Sequence, residues 1–240
     1  MDPANPAPLT VSSRPPAHRC TRAQMTPAEG GPDSQVLKQL HSKMKGLHAK
    51  SSRSAGFQSA LSAAQALTGI EKPARLQPAA ETRMTGNVNS YIRVLRNGYP
   101  LNIVREDKST ADDVKLLIPS VAEMTMLAEV TAIMAVVRDM IVLFQSESFL
   151  TKAAELPLIM RATQLLRPDG ALMVVKWDDS SNKTAASDKD LLTTSVKFES
   201  MSGAAKVCRA RGEQDLLRRF PRPDAVQFMA MRLSPIFLQL

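Results

Sequence analysis

Aromatic side chains are scarce in this sequence: one Trp, two Tyr and seven Phe, 4% of 240 residues. Readers of single-stranded nucleic acid interleave cations with aromatic platforms on which bases stack. Here only the single residues Phe57 and Phe220 accompany the basic stretches, which argues against an RRM-type or OB-type reader. Cysteine is nearly absent. Cys20 and Cys208 stand far apart, so no disulfide framework is expected, and a reducing compartment, cytoplasmic or nuclear, is the default. The two cysteines also lack the paired spacing of a zinc site. Histidine is confined to His18, His41 and His48, in the stretch least suited to a rigid pocket. His41 and His48 share a helical face about two turns apart, too distant to chelate one ion. The ten glycines are scattered, and neither G-x-x-x-x-G-K-S/T nor G-x-G-x-x-G passes through them. No catalytic residue, metal or cofactor is assigned.

Long uncharged apolar runs are missing too. The longest apolar stretch, VTAIMAVVRDMIVLF, is interrupted by Arg138 and Asp139 and falls short of the roughly 18 residues a membrane span needs. The first thirty residues carry no apolar signal core, so neither secretion nor membrane integration is expected. Hydrophobic residues nevertheless make up 44% of the chain, including 13 Met. A packed core is therefore expected, aliphatic and methionine-filled, hence adaptable.

Acid is absent where base is concentrated. Residues 1–110 hold 15 Lys and Arg against 7 Asp and Glu, which accounts for the whole net charge of +8. Residues 111–240 hold 16 of each, although 200–240 is again basic, with 7 against 3. No acidic residue separates Asp33 from Glu71. Basic segments of this kind serve polyanions, because cations near a chain of phosphates release its counterions.

Four regions follow from the sequence. Residues 1–33 are rich in proline, with Pro3, Pro6, Pro8, Pro15, Pro16, Pro27 and Pro32 and few aliphatics, so a disordered tail is expected. Residues 34–70 form a basic helical segment. Leu37, Leu40, Met44 and Leu47 share one helical face over 35–50, with Lys38 and Lys45 pointing away from it. The alanine-rich stretch 54–68 makes a second helix that ends at Gly69. Residues 71–83, with Pro73 and Pro78, read as a linker. Residues 84–240 form an α-rich globular domain with a few short strands. Its expected elements are a helix over 88–97 stopped by Gly98, and a short strand at 100–104. A central buried helix over 121–145 begins at the capping pair Ser120 and Glu123. A helix over 148–166 is expected to kink or split at Pro157. Strands at 171–177 and 194–200, a basic helical stretch over 203–219 interrupted by Gly212, and a last strand at 225–233 with an apolar terminus complete the domain. The fold class is mostly α with minor β.

The segment LLRPDGALMVVKW, residues 165–177, resembles the late helix–turn–strand of class I methyltransferases. In the FtsJ-like RNA methyltransferases that strand ends in a lysine, which Lys176 matches. The resemblance covers about a dozen residues. It implies an RNA methyltransferase, divergent or degenerate, as the alternative function. The glycine-rich cofactor loop of that family is not found upstream, and helix–turn–strand units with a Pro-x-Gly turn also occur as plain structure.

Two basic clusters carry the leading expectation. The first is Lys38, Lys43, Lys45, Lys50 and Arg53. The second is Lys206, Arg209, Arg211, Arg218, Arg219 and Arg222. Phosphate contact needs little beyond positive charge. The chain is therefore expected to be a non-enzymatic protein that binds RNA without sequence preference through basic helices. Self-association, or binding of other proteins, would use its apolar domain. A viral structural or accessory protein, or a ribonucleoprotein component, suits this plan. Leu37, Leu40, Met44 and Leu47 also have the spacing of a leucine-rich export-type segment that would dock in the groove of a nuclear transport or host partner. The same spacing belongs to any amphipathic helix, including one lying on an anionic membrane.

Overall fold

The acid-free interval folds as two helices. In the computed structural model of the protein, residues 31–73, 75–76, 84–144, 151–178, 183 and 190–219 are described, with backbone alone for 84–85, 144, 151–156 and 219. Helix α1 spans Pro32–Arg53 and α2 spans Ala55–Leu67. The first extends beyond its expected bounds because Pro32 sits at the helix start, where a missing N–H costs nothing. Asp33 in the first turn and Lys50 and Arg53 in the last complement its dipole. Ser54 ends α1 and caps α2, its hydroxyl accepting from the Phe57 N–H at 3.3 Å. The expected stop of α2 is met by Gly69, whose φ of 69° lies in the left-handed region. The Ile70 N–H returns to the Gln65 carbonyl and the Gly69 N–H to that of Ala66, the hydrogen-bond pair of a Schellman motif.

Helix α3, Met84–Arg96, is followed by α4, Gly98–Glu106. The strand expected at 100–104 is thus helical. Pro100 falls in the first turn of α4, where proline is tolerated, and Asn97 joins the two helices. Its amide donates to the Arg93 carbonyl at 2.8 Å, while its own carbonyl accepts from the Leu101 N–H at 2.8 Å. Helix α3 ends at Arg96, just before Gly98, as expected, and Gly98 opens α4 at a point of close approach. A Cβ there would lie 3.1 Å from the Trp177 ring. Helix α5, Asp112–Leu117, is short, and α6 runs from Val121 to Phe144. The capping pair forms as read: the Ser120 N–H donates to Glu123 Oε2 at 2.7 Å, and the Glu123 N–H to Ser120 Oγ at 3.3 Å.

Helix α7, Thr151–Leu166, continues through Pro157. The expected strands are shorter than read: β1 is Leu172–Val175 and β2 is Thr193–Val196, with Phe198–Ser200 in a 3-10 turn. They pair antiparallel, Leu172 opposite Val196 and Val175 opposite Thr193. Leu172 and Val174 point into the core while Met173 is exposed, the alternation of a ribbon with one dry face. Helix α8, Gly203–Arg219, passes unbroken through Gly212. The expected strand at 225–233, the apolar terminus and the tail before residue 31 lie outside the described residues.

The described residues are mostly α with minor β. One apolar core draws on all eight helices and on β1. Met44, Met124, Met126, Met140 and Met201 are buried in it, in keeping with the methionine-rich composition. Helix α1 packs on α2, α5 and α8, and α6 on α3, α7, α8 and β1. Helix α6 departs from its expected burial. Met124 to Ile133 is buried almost throughout, and among the described side chains beyond it Met140 is buried while Met134, Val136 and Val137 pack partly buried on the core.

Candidate nucleic-acid interface

Helix α1 turns one face to the core and one to solvent. Leu40, Met44 and Leu47 are buried, the last two at 0% exposure, and Leu37 packs partly buried against the same core. These side chains were candidates for docking in a partner's groove. The protein's own interior occupies them, so they anchor the helix and do not present it.

The five cations of α1 divide by the same geometry. Lys43 Nζ lies 2.7 Å from Glu123 Oε2, the oxygen that also closes the cap of α6. Partial burial opposes ionisation of Glu123, but hydrogen bonds from Lys43 and Ser120 outweigh it and hold the carboxyl below its ordinary range. Lys50 Nζ lies 2.6 Å from Asp113 Oδ2 in the first turn of α5, and its hydrogen bond draws the Asp113 carboxyl down as well. These two lysines tie α1 to α5 and α6. Lys38, Lys45 and Arg53 are exposed. They form no ion pair among the described residues, and Gln35, Gln39, Ser42, Ala49 and Ser52 accompany them on the outer face. Lys38 and Lys45 stand seven residues apart, about 10 Å along the axis and nearly in line.

The second cluster does not assemble in this way. Arg209 is a correction to the sequence reading: it is 0% exposed. Its Nε donates to the Leu166 carbonyl at 3.1 Å, one terminal nitrogen to the carbonyls of Leu165, Arg167 and Gly170, and the other to Met201 Sδ at 3.4 Å. The planar fork bonds the carbonyls at the end of α7 and in the turn that follows, where the helix dipole favours a cation. Burial pulls its pKa down, while Asp169, Glu199 and Glu213 favour the charge. A guanidinium so enclosed cannot reach a phosphate. Lys206 Nζ donates to the Glu199 carbonyl at 2.8 Å and lies 5.9 Å from the Phe198 ring centroid. Arg211 is half-buried, and Arg218 pairs with Asp215 at 2.9 Å. The side chain of Arg219 and all of Arg222 lie outside the described residues.

Both α1 histidines do structural work that sequence reading missed. His41 Nδ1 is hydrogen-bonded to the Tyr91 hydroxyl, and His48 Nε2 to Ser90 Oγ. His48 and Ser90 are 4% and 3% exposed. Burial, and secondarily Arg93, pushes the His48 imidazole down to about 4. His41 is lowered by burial and by Lys45. Burial raises the Tyr91 hydroxyl to about 12, with Cys208 adding to it, and the Cys208 thiol to about 11 against the pull of Arg211. A serine hydroxyl on a histidine suggests a nucleophile, but this pair is sealed from solvent, and among the described residues no carboxylate orients the ring. It is a buried polar joint between α1 and α3. Spacing gave a signal: His41, Met44, His48 and Ser51 follow one helical row, so the histidines border the apolar face.

The helix–turn–strand that resembles a methyltransferase exists as α7, the turn and β1. Its strand sits in a two-stranded antiparallel ribbon, whereas α/β cofactor crevices open at the ends of parallel strands. Lys176 is half-buried, and its backbone N–H bonds the Leu192 carbonyl at 3.0 Å. Among the described residues no group of His, Cys, Asp and Glu could hold a metal ion, and no helix is long and apolar enough to cross a membrane.

No known protein family, curated protein or solved structure matches this chain.

Proposed function

We propose that the protein binds RNA without sequence preference through the outer face of α1, with Lys38, Lys45 and Arg53 as the phosphate-contacting residues. One observation carries this reading: these three cations lie exposed on a rigid helix whose outer face holds no acid, while its inner face is locked into the core. A cation held on an ordered scaffold binds a phosphate without first leaving an intramolecular partner. With no aromatic on that face, contact is to the backbone of the nucleic acid and not to its bases. The role is non-enzymatic, that of a component which coats or holds RNA in a ribonucleoprotein or viral particle.

The test is the salt dependence of RNA binding by the full chain. Each neutralised phosphate contributes about 0.7 to the slope of log K against log salt for single strands and about 0.9 for duplexes. Replacing Lys38, Lys45 and Arg53 with Gln should flatten the slope by about 2 to 3 units and leave the ranking of RNA sequences unchanged. Lys43→Gln with Lys50→Gln should lower stability and leave the slope nearly intact. A triple variant that keeps its wild-type slope overturns the reading.

A further inference from the structure

The outer row of α1 carries a hydroxyl between two cations. Lys38, Ser42 and Lys45 follow one another at intervals of four and three residues, which makes them neighbours on the helix surface, and all three are exposed. A helical side chain covers the turn before its own Cα. Lys45 therefore reaches over the turn of Ser42, and Ser42 over the turn of Lys38. Gln39, exposed three residues before Ser42, adds an amide to the same patch. The one acid of the helix is elsewhere. Asp33 lies against the start of α8, where a Cβ on Gly203 would be 3.1 Å from its Oδ1.

Ser42 differs from other hydroxyls on these helices. Ser52, Thr125 and Thr131 donate back to the carbonyl four residues earlier, at 3.0, 3.1 and 2.6 Å. Ser51 donates to the Leu76 carbonyl at 3.4 Å. The Ser42 hydroxyl has no hydrogen-bond partner among the described residues. It can donate outward without giving up an internal bond. Beneath it, Leu40 and Met44 are 4% and 0% exposed, so the core fixes this part of the helix before any ligand arrives and little order remains to be imposed on binding. Two ammonium groups and a hydroxyl with its proton available select an anion rich in acceptors. A phosphodiester meets both requirements.

We infer that Ser42 is a phosphate ligand of the α1 face: its hydroxyl donates to an oxygen of the backbone phosphate that Lys45 neutralises, while Lys38 takes the next phosphate along the strand. This rests on the RNA-binding reading above and names the residue that fixes where one phosphate sits on α1. Arg53 lies about 16 Å beyond Ser42 along the axis and meets a separate phosphate.

The experiment compares Ser42→Ala with Ser52→Ala in the full chain, by fluorescence anisotropy over a series of salt concentrations, with an oligouridylate and an oligo(A)·oligo(U) duplex as probes. Ser52 is the control: it is exposed beside Arg53, but its hydroxyl is committed to the His48 carbonyl. Both substitutions are at exposed helix positions where alanine is well tolerated, so the helical circular dichroism should be retained. On the probe that wild type binds more tightly, Ser42→Ala should weaken binding roughly fivefold. The slope of log K against log salt should stay unchanged, because no charge is lost. Ser42→Thr keeps the hydroxyl and should keep most of the affinity, and Ser52→Ala should bind as wild type. Ser42→Glu should weaken binding further and flatten the slope, since its carboxylate pairs with the neighbouring lysines. Wild-type affinity in Ser42→Ala, or an equal loss in Ser52→Ala, overturns the inference and leaves the RNA-binding reading standing wherever the Lys38, Lys45 and Arg53 triple variant loses its slope. A triple variant that keeps the wild-type slope overturns both.

Discussion

Helices α1 and α8 are both basic, yet they place their cations in opposite ways. On α1 the apolar residues face inward, and three cations remain outside without partners among the described residues. On α8 the central cation, Arg209, is at the heart of the protein and closes the end of α7. Count and density of charge do not separate the two. What separates them is what stands opposite: α1 meets the apolar core, whereas Arg209 of α8 meets the carbonyls at the end of α7 and in the turn that follows. A basic helix is a ligand surface only when no polar group inside the protein claims its cations first.

The sharpest way to break this comparison is to remove Arg209. Arg209→Met should cost about 3 kcal/mol or more in denaturant unfolding, because carbonyls at the end of α7 lose their donors in a buried site. Arg209→Lys should recover only part of the loss, since an ammonium cannot reproduce the planar fork. Neither substitution should change the salt slope of RNA binding once folding is accounted for. A stability equal to wild type would place the guanidinium outside the structural role assigned to it.

Acid should come next in size, and it acts on α1 from within. His48 is held neutral in the folded protein, at about 4 against an ordinary 6.5. The unfolded chain therefore binds the extra proton first as pH falls. Stability is full above pH 6.5, declines below it, and the loss is complete only once pH passes the folded value near 4. At roughly 1.4 kcal/mol per unit, the interval amounts to about 3 kcal/mol. Urea titrations between pH 7 and 4 should show this decline. His48→Gln should remove most of the pH dependence above the carboxylate range. Identical slopes in the two proteins would sink the assignment.

The lysines that bridge α1 to its neighbours should matter less. Lys43→Ala should destabilise by about 1 kcal/mol, since the pair with Glu123 is partly solvated. A double-mutant cycle with Glu123→Gln should give a coupling of roughly 0.5–1 kcal/mol. Smallest of all should be the effect of the outer cations on folding. Replacing Lys38, Lys45 and Arg53 with Gln should shift stability by less than about 0.5 kcal/mol, while the same protein loses its salt-dependent affinity for RNA. That pairing of silent stability and lost binding distinguishes a ligand surface from structural charge. A loss of several kcal/mol in this variant would place α1's outer cations with Arg209.

The elements themselves were legible from local rules. Three-and-four spacing placed α1, Gly69 ended α2, and the Ser120–Glu123 pair started the apolar run of α6, because each of these depends on neighbours close in sequence. The helix over 88–97 does end before Gly98, but 100–104 is helical and not a strand, because Gly98 opens a new helix and Pro100 falls in its first turn. What requires glycine there is Trp177, seventy-nine residues away, which local pattern cannot reveal. His41 and His48 were dismissed for a similar reason: their partners Tyr91 and Ser90 sit on another helix.

Composition and spacing by themselves determined that the described residues are mostly helical, that their core is aliphatic and rich in methionine, and that the net positive charge lies in the first 110 residues, with one acid-free interval. Hydrophobic periodicity and charge counts are properties of the chain, and they survive any arrangement of its parts. Which cations stay free was decided only by the tertiary structure. Lys43 and Lys50 are neutralised because α6 and α5 bring Glu123 and Asp113 within 2.7 and 2.6 Å, and Arg209 is lost to solvent because α7 ends against it. Coulomb energy falls with distance and hydrogen bonds need contact, so the availability of a charge depends on neighbours that sequence separation leaves unspecified.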